Sequence, residues 1–205
     1  MARCKTYLFF GTICYNGHMS NISIELIISA IRESLSPDLL SNKWNTIVER
    51  SGENNPVAGH CAIATEALYD LLGGAAAGYT PYVCSYYDIG DKRVFGVADD
   101  KKQQKTHWWL RAPFDDKRGQ GIVLDATVRQ YKKPFPYKNG KPTGFMSPTP
   151  PSKRARTLIE RVEKKLGADN ISKFRADQIY AFKKAGANIN LSPASIRRYK
   201  ELKLI

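Results

Sequence analysis

Thiols and imidazoles are scarce in this 205-residue chain, which holds four cysteines and three histidines. Cys4, Cys14, Cys61 and Cys84 show no C-x-x-C spacing and no regular framework, so neither a zinc site nor a disulfide scaffold is expected, and no other cofactor is called for. Free thiols belong in a reducing compartment, which makes the cytoplasm the expected location. Long apolar runs are missing too. None approaches the roughly 20 residues of a membrane span, so no membrane contact is expected. The apolar stretch Tyr7 to Tyr15 follows Arg3 and Lys5, yet it is short and lacks a small-residue cleavage site, so it reads as a strand rather than a signal peptide. Met19 offers an alternative start, which would make residues 1–18 an N-terminal extension. Internal repeats are absent.

Acidic residues are also in deficit, with 19 Asp and Glu against 32 Lys and Arg, a formal charge of +13. The imbalance concentrates in residues 151–205, where 14 basic residues face five acids. Two readings fit: a polyanionic partner, DNA or RNA above all, or a solvated basic surface. Arg154 and Arg156 open this segment. Near its end, L-S-P-A-S-I-R-R-Y resembles the turn and second helix of a helix-turn-helix unit, with Ser192 as cap and Arg197, Arg198 and Lys200 exposed. Such a helix could touch phosphates in a groove, although a capped basic helix packed on a core has the same pattern.

What the chain does have is apolar periodicity. Ile24, Ile27, Ile28 and Ile31 fall at helical spacing within Ser23 to Ser34. Ser36-Pro37-Asp38 signals a helix start that would bury Leu40, Trp44, Ile47 and Val48. Ala64, Ala67, Leu68 and Leu71 follow at i, i+3, i+4 and i+7, stopped by Gly73-Gly74. Tyr79 to Ile89 reads as a strand, with Pro81 marking an edge or a strand start, and Val94 to Val97 as a short partner. Thr106 to Arg111 and Gly121 to Thr127 read as an antiparallel pair. The proline-rich stretch Pro134 to Pro151 is either an extended segment wrapping a surface or a linker. Ser152 caps a helix to Leu166, and Ala176 to Ala185 and Pro193 to Leu202 suggest two more.

Placed on these elements, three residues form a candidate catalytic set. Cys61 stands at a helix N-terminus, where free N–H groups and the macrodipole favour a thiolate. A cysteine nucleophile needs a base, and the base needs a group that holds its tautomer. His107 lies on one strand and Asp125 on the next, so pairing would bring them together while Cys61 faces the ring across the helix–sheet interface. The bland reading makes each a core residue. Asn55 is a candidate oxyanion donor beside the Cys61 N–H, and His60, Trp108 and Trp109 would line the site.

The order Cys, His, Asp, with the G-x-C start Gly59-His60-Cys61, His107 followed by Trp108, and the L-D-x-T strand Leu124 to Thr127, resembles the papain-like and transglutaminase-like cysteine superfamily. The stretch Asn55 to Thr65 resembles small bacterial YunG-like proteins, with Glu66 replacing an alanine. Trp44 to Tyr131, together with Phe135 to Arg156, is similar to uncharacterised bacteriophage and prophage proteins. The resemblance implies an α+β fold with a papain-like core, its N-terminal helices packed on an antiparallel sheet. It makes Cys61 the nucleophile, His107 the base and Asp125 the orienter. Papain-type sites carry Gln where Asn55 stands.

The expected organisation is a core over residues 19–151 followed by a basic helical tail over 152–205. The leading expectation is a thiol-dependent hydrolase or acyl/amide transferase of phage type, acting in the host cytoplasm on a protein or a small amide or acyl substrate. The alternative is a nucleic-acid-associated protein in which that core is a scaffold. A catalytically dead inhibitor of a host factor is a third reading.

Overall fold

The computed structural model describes residues 22–41, 57–89, 106–113, 122–131, 133–145 and 150–185. The expectations for Tyr7–Tyr15, Trp44, Ile47, Val48, Val94–Val97 and Pro193–Leu202 fall outside these residues. Among the described residues the fold is α+β, with four α-helices and a four-stranded antiparallel sheet.

Helix α1 spans Ile24–Ser34, and the Ser23 hydroxyl caps it by accepting from the Leu26 N–H at 3.2 Å. Its buried face carries Ile27, Ala30 and Ile31. The start signal at Ser36 opens only a 3-10 turn, Pro37–Leu39, although Leu40 is buried as expected. Helix α2 spans Cys61–Leu71 and buries Ala64, Ala67, Leu68 and Leu71 at less than 1% exposure, the spacing read from sequence. It stops where Gly73 takes φ 93°, a conformation that a side chain disfavours.

The sheet has the order β3-β2-β1-β4, with β1 at Thr80–Ser85, β2 at Thr106–Arg111, β3 at Val123–Leu124 and β4 at Lys141–Pro142. Pro81 lies near the start of β1, which is an interior strand of the sheet. The register pairs Cys84 with His107, Tyr82 with Trp109, and Leu110 with Leu124. Because successive side chains alternate, the two faces divide the chemistry. Leu110 and Leu124 join the helices in the main core, whereas Cys84 and Trp109 join Ile89 and Phe135 in a second cluster. The first part of the proline-rich stretch covers that second face. Phe135 is buried there, and Thr143 N–H donates to the Pro81 carbonyl at 2.9 Å.

Strand β3 is shorter than the expected Gly121–Thr127. Asp125 is the reason: its Oδ1 accepts the Thr127 N–H at 2.8 Å, a side-chain-closed turn that competes with strand pairing.

Helix α3, Lys153–Leu166, starts at Ser152, whose N–H and hydroxyl both donate to the buried carboxylate of Glu66 on α2, at 2.8 and 2.6 Å. Helix α4 spans Ala168–Lys184, a full two turns longer than expected at its start. Ile171 and Phe174 anchor those turns, spaced among Asp169, Asn170, Ser172 and Lys173, which mask the apolar face in the sequence. Both helices feed the core shared by α1 and α2, through Leu158, Val162, Ile171 and Ile179.

Gly140 shows how tightly the second face is packed. A Cβ there would overlap Cη2 of Trp109, which is completely buried. Gly140→Ala is expected to lower stability by about 1–3 kcal/mol, as overpacking does, read as a lower urea midpoint. An unchanged midpoint would show that Trp109 has room to yield.

Candidate active site

The site is built around the turn that ends β3. Asp125 is buried, and its carboxylate accepts four hydrogen bonds. Oδ1 takes the Thr127 N–H at 2.8 Å and the Thr127 hydroxyl at 3.2 Å. Oδ2 takes His107 Nε2–H and the Tyr137 hydroxyl, both at 2.7 Å. Burial alone would raise the Asp125 pKa. The His107 hydrogen bond and charge, then the Tyr137 hydroxyl and the Thr127 N–H, outweigh it and hold the carboxyl below its ordinary range.

An ionised carboxylate only accepts, and this fixes every proton around it. The Thr127 hydroxyl donates to Oδ1, so its oxygen accepts from Gln130, which lies 3.2 Å away. The Gln130 atom is therefore the amide nitrogen. That same nitrogen stands 3.0 Å from His107 Nδ1, so Nδ1 accepts and the ring proton sits on Nε2, aimed at Asp125. The hydrogen bonds close a loop through Asp125, Thr127, Gln130 and His107. Arg32 of α1 pins the turn from outside, donating to the backbone carbonyls of Ala126 at 2.7 Å and Asp125 at 3.1 Å.

Aromatic rings enclose the imidazole. Phe135 and Tyr131 meet it edge-on at 4.4 and 4.6 Å between centroids, and Trp109 stacks on it at 5.7 Å. His107 itself is fully buried.

Cys61 is the first residue of α2 and is 8% exposed. Its thiol donates to the Thr106 carbonyl at 3.5 Å, while the Trp108 N–H approaches the sulfur. The sulfur thus lies against the β2 backbone on both sides of His107, along the edge that β3 leaves open. Among the described residues no hydrogen bond joins the thiol to the ring, whose nitrogens face Asp125 and Gln130. The expectation that Cys61 faces the ring across the helix–sheet interface is corrected on this point: His107 belongs to the face opposite α2, and the two residues meet at a strand edge. Burial pushes the thiol up to about 12, with the Trp108 N–H pulling it down and the Asp125 charge pushing it up; the N–H groups of Ala62 and Cys61 pull down less. At neutral pH this thiol is protonated.

The other residues singled out in the sequence are spread around this centre. His60 is buried, with its ring nitrogens at 2.9 Å from the Ala58 carbonyl and 3.0 Å from the Ser36 carbonyl, and it ties the loop before α2 to the turn after α1. Trp109 lies against His107, whereas Trp108 occupies the other face and stacks on Phe145 at 6.0 Å. Asn55 lies outside the described residues. Arg154 and Arg156 are exposed on the first turn of α3, and Arg197, Arg198 and Lys200 lie outside the described residues. Thr127, Gln130, Tyr131 and Tyr137 are site residues that sequence reasoning missed. The signal available for the first two was their place in a turn directly behind Asp125; nothing local marks Tyr137 as an Asp125 partner.

Among the described residues no helix is long and apolar enough to cross a membrane, and no group of three or more His, Cys, Asp and Glu side chains could hold a metal ion. No family model, no curated protein and no solved structure matches the chain.

The Asp125 carboxyl ionises more readily folded than unfolded, so its contribution to stability is present above the ordinary value of about 3.9 and is lost as pH falls through the lowered folded value. Asp125→Asn should cost about 1–3 kcal/mol at pH 7 by leaving buried donors poorly matched. The gap between wild type and variant should narrow in acid, measured as urea midpoints at neutral and acid pH. A gap independent of pH would contradict the assignment of Asp125 as the ionised centre.

Proposed function

We propose that this protein is a thiol-dependent hydrolase or acyl/amide transferase with a papain-like arrangement of Cys61, His107 and Asp125. The supporting observation is the placement of the Cys61 sulfur on the backbone flanking His107, with that ring oriented by a buried carboxylate. A cysteine at the first position of a helix beside an oriented imidazole has the parts that acyl transfer requires.

In this reading Cys61 swings from the Thr106 carbonyl and gives its proton to His107 Nδ1. The thiolate attacks a carbonyl carbon, and the oxygen that gains charge is met by the N–H of Cys61 at the start of α2. The imidazolium returns its proton to the departing amine or alcohol, leaving a thioester on Cys61. Water or an amine then attacks the thioester, with His107 taking and returning the proton again. Asp125 stays ionised and stabilises the imidazolium through Nε2. The substrate is a protein or a small molecule carrying an amide or acyl group.

The test is p-nitrophenyl acetate as an acyl donor. The expected result is a burst of nitrophenol with an acetyl group on the Cys61 peptide, lost in Cys61→Ala and kept in Cys84→Ala, which removes the other buried free thiol among the described residues. Release that is undiminished in Cys61→Ala rejects the reading.

A second reading rests on the exposed basic residues Lys153, Arg154 and Arg156, which crowd the first turn of α3. Cations at a helix N-terminus oppose the macrodipole, so their place there is unfavourable for folding and suits a polyanion such as DNA or RNA. Deleting residues 152–205 would not test this, because α3 and α4 supply the core. The double charge reversal Arg154→Glu with Arg156→Glu does. Binding to a duplex should weaken steeply with salt and fall about tenfold or more in the variant at low salt. Equal affinity in both proteins eliminates this face as the contact.

A further inference from the structure

The lone pair of His107 Nδ1 is the only site on the ring able to accept the Cys61 proton, since Nε2 already carries one and donates it to Asp125. Gln130 occupies that lone pair at 3.0 Å. Its amide is held there from the other side by Thr127, whose hydroxyl is committed to Asp125. We infer that Gln130 is a positioning residue that withholds His107 from Cys61, so that the site rests in a latent state until the Gln130 amide leaves Nδ1. This inference rests on the reading of Cys61 and His107 as nucleophile and base.

The surrounding backbone divides at Thr127 in a way that suits such a latch. Up to Ala126 the chain is pinned by the Arg32 guanidinium. Beyond it, Val128–Gln130 forms one 3-10 turn with Val128 and Arg129 exposed and no buried residue. Its backbone closes locally, through Gln130 N–H to the Thr127 carbonyl at 3.0 Å and Tyr131 N–H to the Val128 carbonyl at 3.1 Å. Local openings are drawn from segments with few buried contacts, and this turn is one. Departure of the Gln130 amide leaves Asp125, Thr127 and Tyr137 bonded as they are, so the ring keeps its orientation while Nδ1 is released. The ionisable groups facing the ring are Asp125, Tyr131 and Tyr137, with Cys84 beside it on β1. Among the described residues the hydrogen bond at Nδ1 is the one from Gln130.

The reporter is alkylation of Cys61 by iodoacetamide, followed on the Cys61 peptide by mass spectrometry across pH, with far-UV circular dichroism to confirm folding. Gln130→Leu, close in shape but unable to donate, should raise the Cys61 rate near pH 7 by at least about tenfold and move the pH profile downward. Gln130→Glu should leave the rate at or below wild type, because a carboxylate at that place accepts from Nδ1, keeps the ring protonated there and opposes a thiolate. A merely structural role would loosen the site in both variants and shift both rates the same way. That outcome, or an unchanged profile in Gln130→Leu, overturns the inference. Nitrogen NMR of His107 gives a second measurement: the Nε2–H tautomer in wild type, with the Nδ1 signal moved in Gln130→Leu, supports it, and an unmoved signal rejects it. The acyl-transfer reading fails separately, if the ester leaves no acetyl on Cys61 even in Gln130→Leu while the alkylation profiles still diverge.

Discussion

A buried carboxylate can only accept, and most of what is distinctive here follows from that constraint on Asp125. Taken from water, its charge would cost several kcal/mol unless donors replaced the solvent. Four donors do so, from one N–H, two hydroxyls and one imidazole. They come from a turn, the 3-10 segment after the proline-rich stretch begins, and the central strand β2. The carboxylate therefore ties three separate stretches of chain to one point. It also propagates a direction: because Asp125 gives no proton, Thr127 must, and then Gln130 must, until His107 is left with one tautomer.

The same turn decides where the thiol can sit. By pulling the Thr127 N–H onto its own side chain, Asp125 ends β3 after two residues, so β3 does not pair with β2 at Thr106 and Trp108. An unpaired buried carbonyl or N–H is costly, and the first residue of α2 arrives there with a sulfur. Cys61 thus stands where a third pair of ladder residues would have been. On the far face Phe135, Tyr131 and Trp109 close over the imidazole, which removes water from the ring and makes its few polar contacts decisive.

Much of this fold was legible because helical and strand periods are local. The Ile24–Ser34 helix, the α2 core positions, β2 to the residue and the Ser152 cap all follow from spacing and capping chemistry. The pairing of β2 with β3, and with it the meeting of His107 and Asp125, follows from two short apolar runs close in sequence. Three things were not legible for physical reasons. The length of β3 depends on a side chain outcompeting the ladder. The extent of α4 is hidden because Ile171 and Phe174 lie among polar residues, so only tertiary burial reveals the face. The side of the sheet on which His107 lies depends on register, and a shift of one residue would have put the ring against α2. Gln130 and Tyr137 belong to the same class, since their partners are defined by folded geometry alone.

The energetics of Cys61 show why proton position, more than proximity, governs what this site can do. Its free N–H neighbours at the helix start favour a thiolate, yet burial dominates and pushes the thiol to about 12. Relative to an ordinary thiol near 9, that makes the isolated thiolate about 4 kcal/mol harder to form. An imidazolium formed beside the sulfur would return part of that cost, and it can form only where Nδ1 is free to take the proton. In the structure it is not, because the Gln130 amide is on it. A hydrogen bond of that kind contributes about 1 kcal/mol net, and breaking it adds to the cost of moving the proton from sulfur to ring.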